Sequence, residues 1–250
     1  MTKQSGMGDN FYIDGYNLSG DVQSLSRVGG GPAPGDVTSI DKSAYERIGL
    51  LRDGAMEFTT FFNDETVTAP LGAVTVLKTL PVTDRIGSYF RGTAVGSPAA
   101  SLVSKQVNFD PSRGQDGMIT FNASLQANGY GLEWGEQLTA GKRTDTGATN
   151  GASIDFGATS TLFGATAYLH VFAVTGTSVT VTIQDSADNS VWATLTGLGF
   201  TAVTGGSLGA QRLSTGTTAT VRRYVRAVTT GTFSNAQFAV NFVRYPVAQS

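Results

Sequence analysis

The sequence predicts a mainly β protein in two modules: a first unit of aromatic strands with one or two short helices, then an antiparallel β-sandwich. Three observations carry this. Only 14% of the 250 residues are charged and 32 are glycine, where an average soluble chain has roughly 25% charged residues. That exchange favours sheets and tight turns. From residue 152 onward, Thr- and Val-rich segments recur between turn residues without any helical stretch. Seven such short strands indicate a sandwich. The chain also changes character near residue 141, from a mixed acidic segment to a basic Thr/Val/Gly-rich one.

The modules differ in charge. Residues 1–140 hold 15 Asp and Glu against 10 Lys and Arg, whereas residues 141–250 hold 4 against 7. A net-negative first module argues against tight duplex binding, which needs clustered cations. With no cysteine, thiol catalysis, disulfides and thiolate metal sites are excluded. The opening MTKQSGMGDN has no apolar core or cleavage site, so no secretory signal is expected. No apolar run approaches 18 residues, so no membrane insertion is expected.

In chain order, residues 1–10 are expected as a flexible arm. Phe11-Tyr12-Ile13 begins a strand that Asp14-Gly15 turns back. Gly20 to Gly35, with its GGGPAPG run, is incompatible with helix or central strand and is expected as a loop. Ser43 and Glu46 form a capping-box pattern, with Tyr45, Ile48 and Leu51 at helical spacing, so Lys42 to Leu51 is expected as a short helix. Met56, Phe58, Thr60 and Phe62 alternate as a strand. Pro70 to Leu80 has a helical apolar face and a proline suited to a first turn. Arg85 to Arg91, Ala100 to Asp110 and Met118 to Gly129 read as strands, the last two a hairpin around PSRGQDG.

Gly141 to Gly151 has no apolar residue larger than alanine and is expected as a linker. The domains are therefore 1–140, the linker 141–151, and 152–250. Strands of the second domain are placed at Ala152 to Phe156, Ala165 to Val174, Ser178 to Asp185, Val191 to Leu198, Gly209 to Ser214, Thr220 to Thr229 and Gln237 to Tyr245. Thr175-Gly176-Thr177 is expected as a turn, and Trp192 as a core or rim residue.

Catalytic kits are hard to assemble from these residues. His170, the one histidine, alternates onto the face of Tyr168 and Phe172 and reads as a strand residue. It has no nucleophile elbow to serve. Glu133 and Glu136 flank Trp134 in the manner of acids around a sugar platform, but they sit at a module junction. Asp185 to Ser190 is oxygen-rich without the spacing of a calcium loop, and reads as a polar hairpin turn. Arg222 and Arg226 share one strand face and Arg223 the other. They either meet an acidic partner or are solvated. Asp14, Asp21, Asp110 and Asp116 suit either turns or an acidic surface. The glycine-rich stretches lack a phosphate-loop lysine. No catalytic, cofactor-binding or metal residue is assigned, and no cofactor is expected.

The stretches FYIDGYNLSGDVQSL, TSIDKSAYERIGLLRDGAMEFTTFFN and SYFRGTAVGSPAASLVSKQVNFDPSRGQDGMITFNASLQANGYGLEWGEQLT resemble major tail tube proteins of long-tailed bacteriophages. They cover most of residues 11–139. The later TVTIQDSADNSVWATL, FTAVTGGSLGAQRLS and RRYVRAVTTGT resemble Ig-like or carbohydrate-binding-like domains appended to phage tail and capsid proteins. The resemblance implies a small β-barrel or sandwich with a flanking helix, rings of six copies, and rings stacked into a negatively lined tube that passes DNA. The appended domain would decorate the outside and touch host cell-surface glycans. Partners would be the chain itself, other tail proteins and DNA in transit. The location would be the virion tail, after synthesis in the host cytoplasm. A carbohydrate-binding adhesin or capsid decoration protein is the alternative, and a glycan hydrolase using Glu133 or Glu136 a third.

Overall fold

The alternating segment around Met56 lies in a strand with Met56, Phe58 and Thr60 buried, but the strand ends at Phe61, and Phe62 beyond it is exposed. The computed structural model describes residues 5–67, 71–157 and 160–248. The protein is mainly β, and every strand pairing is antiparallel.

The first half contains β1 (Asn10–Ile13), β2 (Tyr16–Asn17), β3 (Val22–Asp36), β4 (Arg47–Phe61), α1 (Ala73–Leu77), β5 (Arg85–Phe90), β6 (Pro98–Arg113), β7 (Ile119–Ala127) and β8 (Glu133–Gln137). The second contains β9 (Arg143–Asp145), β10 (Thr149–Asp155), β11 (Ala165–Ser186), β12 (Ala193–Gly199), β13 (Val203–Thr204), β14 (Gly209–Ser214) and β15 (Tyr224–Arg244). One hydrogen-bonded path runs β12-β11-β15-β8-β6-β5-β1-β2. The sheet crosses between the halves through β8, whose Glu136 lies opposite Pro98 of β6 on one side and Phe242 of β15 on the other.

Several expectations change in the folded chain. Residues 1–4 of the expected arm lie outside the described residues. Residues 5–9 are tied down, with Asp9 N–H donating to Gly6 O and Arg91 to Ser5 O. The expected loop of Gly20 to Gly35 is instead β3, half of a long hairpin with β4. Its prolines are tolerated because β3 pairs with β4 alone, so one edge asks for no donor. The helix expected from Lys42 to Leu51 is not formed. Residues 47–51 belong to β4, where Ile48 opposes Gly35 and Gly49 opposes Pro34. Cross-strand pairing overrides the local capping pattern. The helix expected from Pro70 shrinks to five residues, and Pro70 itself lies outside the described residues.

The segment 141–151, expected as a linker, holds β9 and the start of β10, both paired to β15. The turn expected at Thr175-Gly176-Thr177 is a bulge within the continuous β11, where Gly176 takes a φ of 126°. A bulge gives the extra twist that lets a 22-residue strand stay paired.

Two apolar cores result. One gathers Phe11, Met56, Phe58, Leu77, Leu102, Phe121 and Leu125; the other gathers Leu169, Val171, Ile183, Leu198, Phe238, Val240 and Phe242. A small third cluster of Tyr12, Phe90, Ala99 and Ala239, joined by Phe172, welds the halves.

Candidate functional site

Three places in the fold combine unusual chemistry with a defined position: the seam between the halves, a cleft beside it, and the long β3–β4 hairpin.

The seam forms because β11 is buried on both faces from Ala165 to Val171. Leu169 and Val171 enter the second core, while Tyr168, His170 and Phe172 face the first half, as alternation predicts. His170 is wholly buried. Gly15 N–H donates to its Nδ1 at 3.3 Å, so the neutral ring carries its proton on Nε2. That proton is directed at Ser88 Oγ, 2.8 Å away. Ser101 Oγ lies 2.7 Å beyond and also accepts from Asn241 Nδ2 at 2.9 Å. A serine and a histidine therefore stand at hydrogen-bond distance, but the imidazole is the donor and both residues are sealed from solvent. This is a structural dyad, with no lone pair available to activate Ser88. Burial pushes the His170 pKa down to about 3.

The Asp14-Gly15 turn delivers that N–H. Asp14 and Gly15 take φ values of 51° and 83°, the left-handed pair that a two-residue hairpin requires. A Cβ on Gly15 would stand 2.6 Å from Val171 O. Asp14 accepts from Ile86 N–H at 2.8 Å and pairs with Arg85 at 3.2 Å.

The cleft has a volume of about 630 Å³ and lies beside the same seam. At its floor is Glu133, the first residue of β8, which is buried. Its carboxylate accepts from the hydroxyls of Tyr168 and Tyr245, and from Arg212 Nε and Nη2 at 3.2 Å each. Strand register places Arg212 opposite Tyr168. The guanidinium carbon sits 3.7 Å from the ring centre of Tyr130. Burial and the Glu133 charge raise the Tyr245 pKa to about 12, and raise that of Tyr168 likewise.

Glu136 does not join this group: three residues along a strand it faces away, and it is not among the cleft's lining residues. Burial raises its pKa, opposed by Arg244. Trp134 is half-exposed and meets the Tyr89 ring edge-on. Sequence reasoning found Glu133 but missed Tyr130, Tyr168, Arg212 and Tyr245, which only strand pairing brings together.

The remaining candidates are internally engaged. Arg222 clamps Asp185 with bonds of 2.6–3.0 Å, Arg223 pairs with Asp155 at 2.6 Å, and Arg226 bonds Gln184 while covering the Trp192 ring. Asp188 accepts from the Ser190 and Val191 N–H groups, so a polar turn forms where Asp185 to Ser190 was expected to make one, with Asp185 and Ser186 themselves ending β11. Asp21 accepts from Asn63 and from Ala73 N–H, Asp116 from Met118 N–H, and Asp110 from Asn108. Among the described residues no group of three His, Asp or Glu side chains is placed to hold a metal. No helix among them is long and apolar enough to cross a membrane.

The β3–β4 hairpin is the third place. Its outer part is solvent-exposed on both strands, and Tyr45, Ile48, Leu50 and Leu51 of its tip and β4 side are exposed apolar residues. At the other end of β4, Phe61 lies opposite Thr120 of β7 and Phe62 N–H donates to Ile119 O; Phe61, Phe62, Ile119 and the preceding Met118 are all exposed. Because β4 is continuous, these two apolar regions lie at its opposite ends.

No family model and no curated protein matches the chain. Among solved structures, the Dit protein (gp 19.1) of phage SPP1, described as a paradigm of hub adsorption apparatus in phages infecting Gram-positive bacteria, is 12% identical with a TM-score of 0.34. That match covers 94% of this chain and 99% of the other. A chain of the phage p2 baseplate in its activated conformation with strontium is 11% identical, TM-score 0.35, covering 96% and 99%. The corresponding structure with calcium is 11% identical, TM-score 0.33, covering 97% and 100%.

Proposed function

We propose that the chain is a structural protein of a long-tailed phage virion. Copies join head to tail into closed rings, and rings stack into a tail tube that conducts DNA. The observation that carries this is the β3–β4 hairpin. An isolated two-stranded ribbon is marginal in water, and one bearing Tyr45, Ile48, Leu50 and Leu51 in the open asks for a cover. The cover is a second copy. The apolar patch of Phe61, Phe62, Met118 and Ile119 stands at the opposite end of β4, so arm and patch point in opposite directions. Arm-to-patch contact is then heterologous, the kind that closes into rings or continues as a stack. The low charge content limits the desolvation cost of each contact. The resemblance of residues 11–139 to tail tube proteins supports the same reading, as does the net-negative first half, which lets DNA pass without sticking. The C-terminal half is the outward decoration. No step in this function needs a catalytic residue.

Negative-stain microscopy of the purified chain at rising concentration tests the proposal. Stacked rings are expected. Single rings that never stack would move the protein from the tube to another ring of the tail. Monomers at every concentration would contradict self-assembly and favour a decoration or adhesin role.

A further inference from the structure

We propose that the cleft beside the seam binds a neutral saccharide unit without cleaving it. The proposal does not depend on ring formation. Its volume of about 630 Å³ is that of a small-ligand pocket. Tyr130 is half-exposed and supplies an aromatic plate. One face of the plate lies on the Arg212 guanidinium, itself fixed by Glu133 and Tyr168, so the ring is held while the residue stays half-exposed. A fixed amphipathic ring costs little ordering entropy on binding, and the C–H face of a pyranose suits it.

Polar groups at the cleft remain free. Arg212 spends Nε and Nη2 on Glu133, Tyr168 and Thr166, while among the described residues Nη1 makes no hydrogen bond. Ser214 and Thr217 line the same cleft, and among the described residues their hydroxyls make no hydrogen bond. Two donors beside two hydroxyls match the mixed donor-acceptor rim of a sugar.

Charge selects a neutral ligand. The floor is a closed ion pair, with Arg212 offset by Glu133, and Arg52 on the lining is already partnered. A phosphate or carboxylate at Arg212 would meet a guanidinium whose charge Glu133 already offsets. Chemistry on the sugar is excluded by the same carboxylate. Hydrolysis needs two acids flanking one bond; among the described residues Glu133 is the only acid on the lining, and both its oxygens already accept hydrogen bonds.

The test is a saturation-transfer NMR and calorimetric titration of the full chain with neutral trisaccharides of glucose, galactose, mannose and N-acetylglucosamine. A galacturonate trimer serves as the acidic comparison. At least one neutral trimer should bind with a Kd of about 1 mM or tighter. Tyr130→Ala should weaken it about tenfold or more, and Tyr130→Phe should retain it. Thr217→Trp, an exposed position at the cleft, should block binding even if Tyr130→Ala proves unstable. The proposal is overturned if no neutral trimer binds at about ten times that concentration, if the acidic trimer binds more tightly, or if Thr217→Trp binds as the parent chain does. These readouts do not register assembly, so failure here leaves the ring proposal standing.

Discussion

Gly15 donates its backbone N–H to Nδ1 of His170 across 155 residues of sequence, at 3.3 Å and out of contact with solvent. This bond fixes the imidazole tautomer, aims Nε2 at Ser88 and ties the first hairpin of the chain to the longest strand of the second half. A histidine that would elsewhere suggest catalysis is here part of the weld between two sheets.

The weld makes stability depend on pH. The folded His170 pKa is about 3, below the unfolded value of roughly 6.5. Below pH 6.5 the unfolded chain therefore binds a proton that the folded chain does not. The stabilisation is complete above pH 6.5 and is lost as pH falls towards 3, at about 1.4 kcal/mol per unit. Urea unfolding between pH 7.5 and 5 should show this slope, and His170→Gln should flatten it. The raised pKa values of Asp14 and Glu136 act in the opposite direction, nearer the carboxylate range.

Gly15→Ala meets two obstacles, a φ of 83° and the Val171 carbonyl 2.6 Å from the new Cβ. A loss of about 3 kcal/mol in unfolding free energy is expected. A loss under about 1 kcal/mol would mean that the hairpin does not seat against β11 as described.

Glu133→Gln removes the counter-charge of Arg212 and presents an amide N–H₂ to groups that donate. Breaking a buried pair in this way costs about 3–5 kcal/mol. Chemical denaturation measures it. Glu136→Gln, which leaves the Glu133 network intact, should cost far less.

Legibility in the sequence divided along the range of the interactions. The strand around Met56, the Asp14-Gly15 turn and the Phe172-side face of His170 follow from neighbours two residues away, and alternation displays them. The β3–β4 arm was hidden because Gly29 to Gly35 has a loop's composition. Only its partner strand, paired from Arg47 to Thr60, makes it extended. Ser43 and Glu46 gave a helix signal that this pairing overrode. The Glu133 cluster was only partly visible: the acid stood out, but its flanking Trp134 lies outside the cluster, and Arg212, 79 residues away, joins only through strand register.

Ile48→Glu and Leu50→Glu stand on exposed positions of β4, so each should leave the melting temperature nearly unchanged, within about 0.5 kcal/mol in stability. Each should also lower association by at least tenfold in sedimentation velocity. Equal losses of folding and assembly would show that the arm belongs to the core of the fold.

The arm-to-patch contact is tested most directly by linking its two ends between chains. The chain has no cysteine, so Ile48→Cys with Met118→Cys places the only two thiols on the arm and on the opposite patch. A short bismaleimide linker should give a ladder of covalent multimers from the double variant, and no such ladder from either single variant. A double variant that stays monomeric at concentrations where the parent chain forms rings would contradict the arm-to-patch contact.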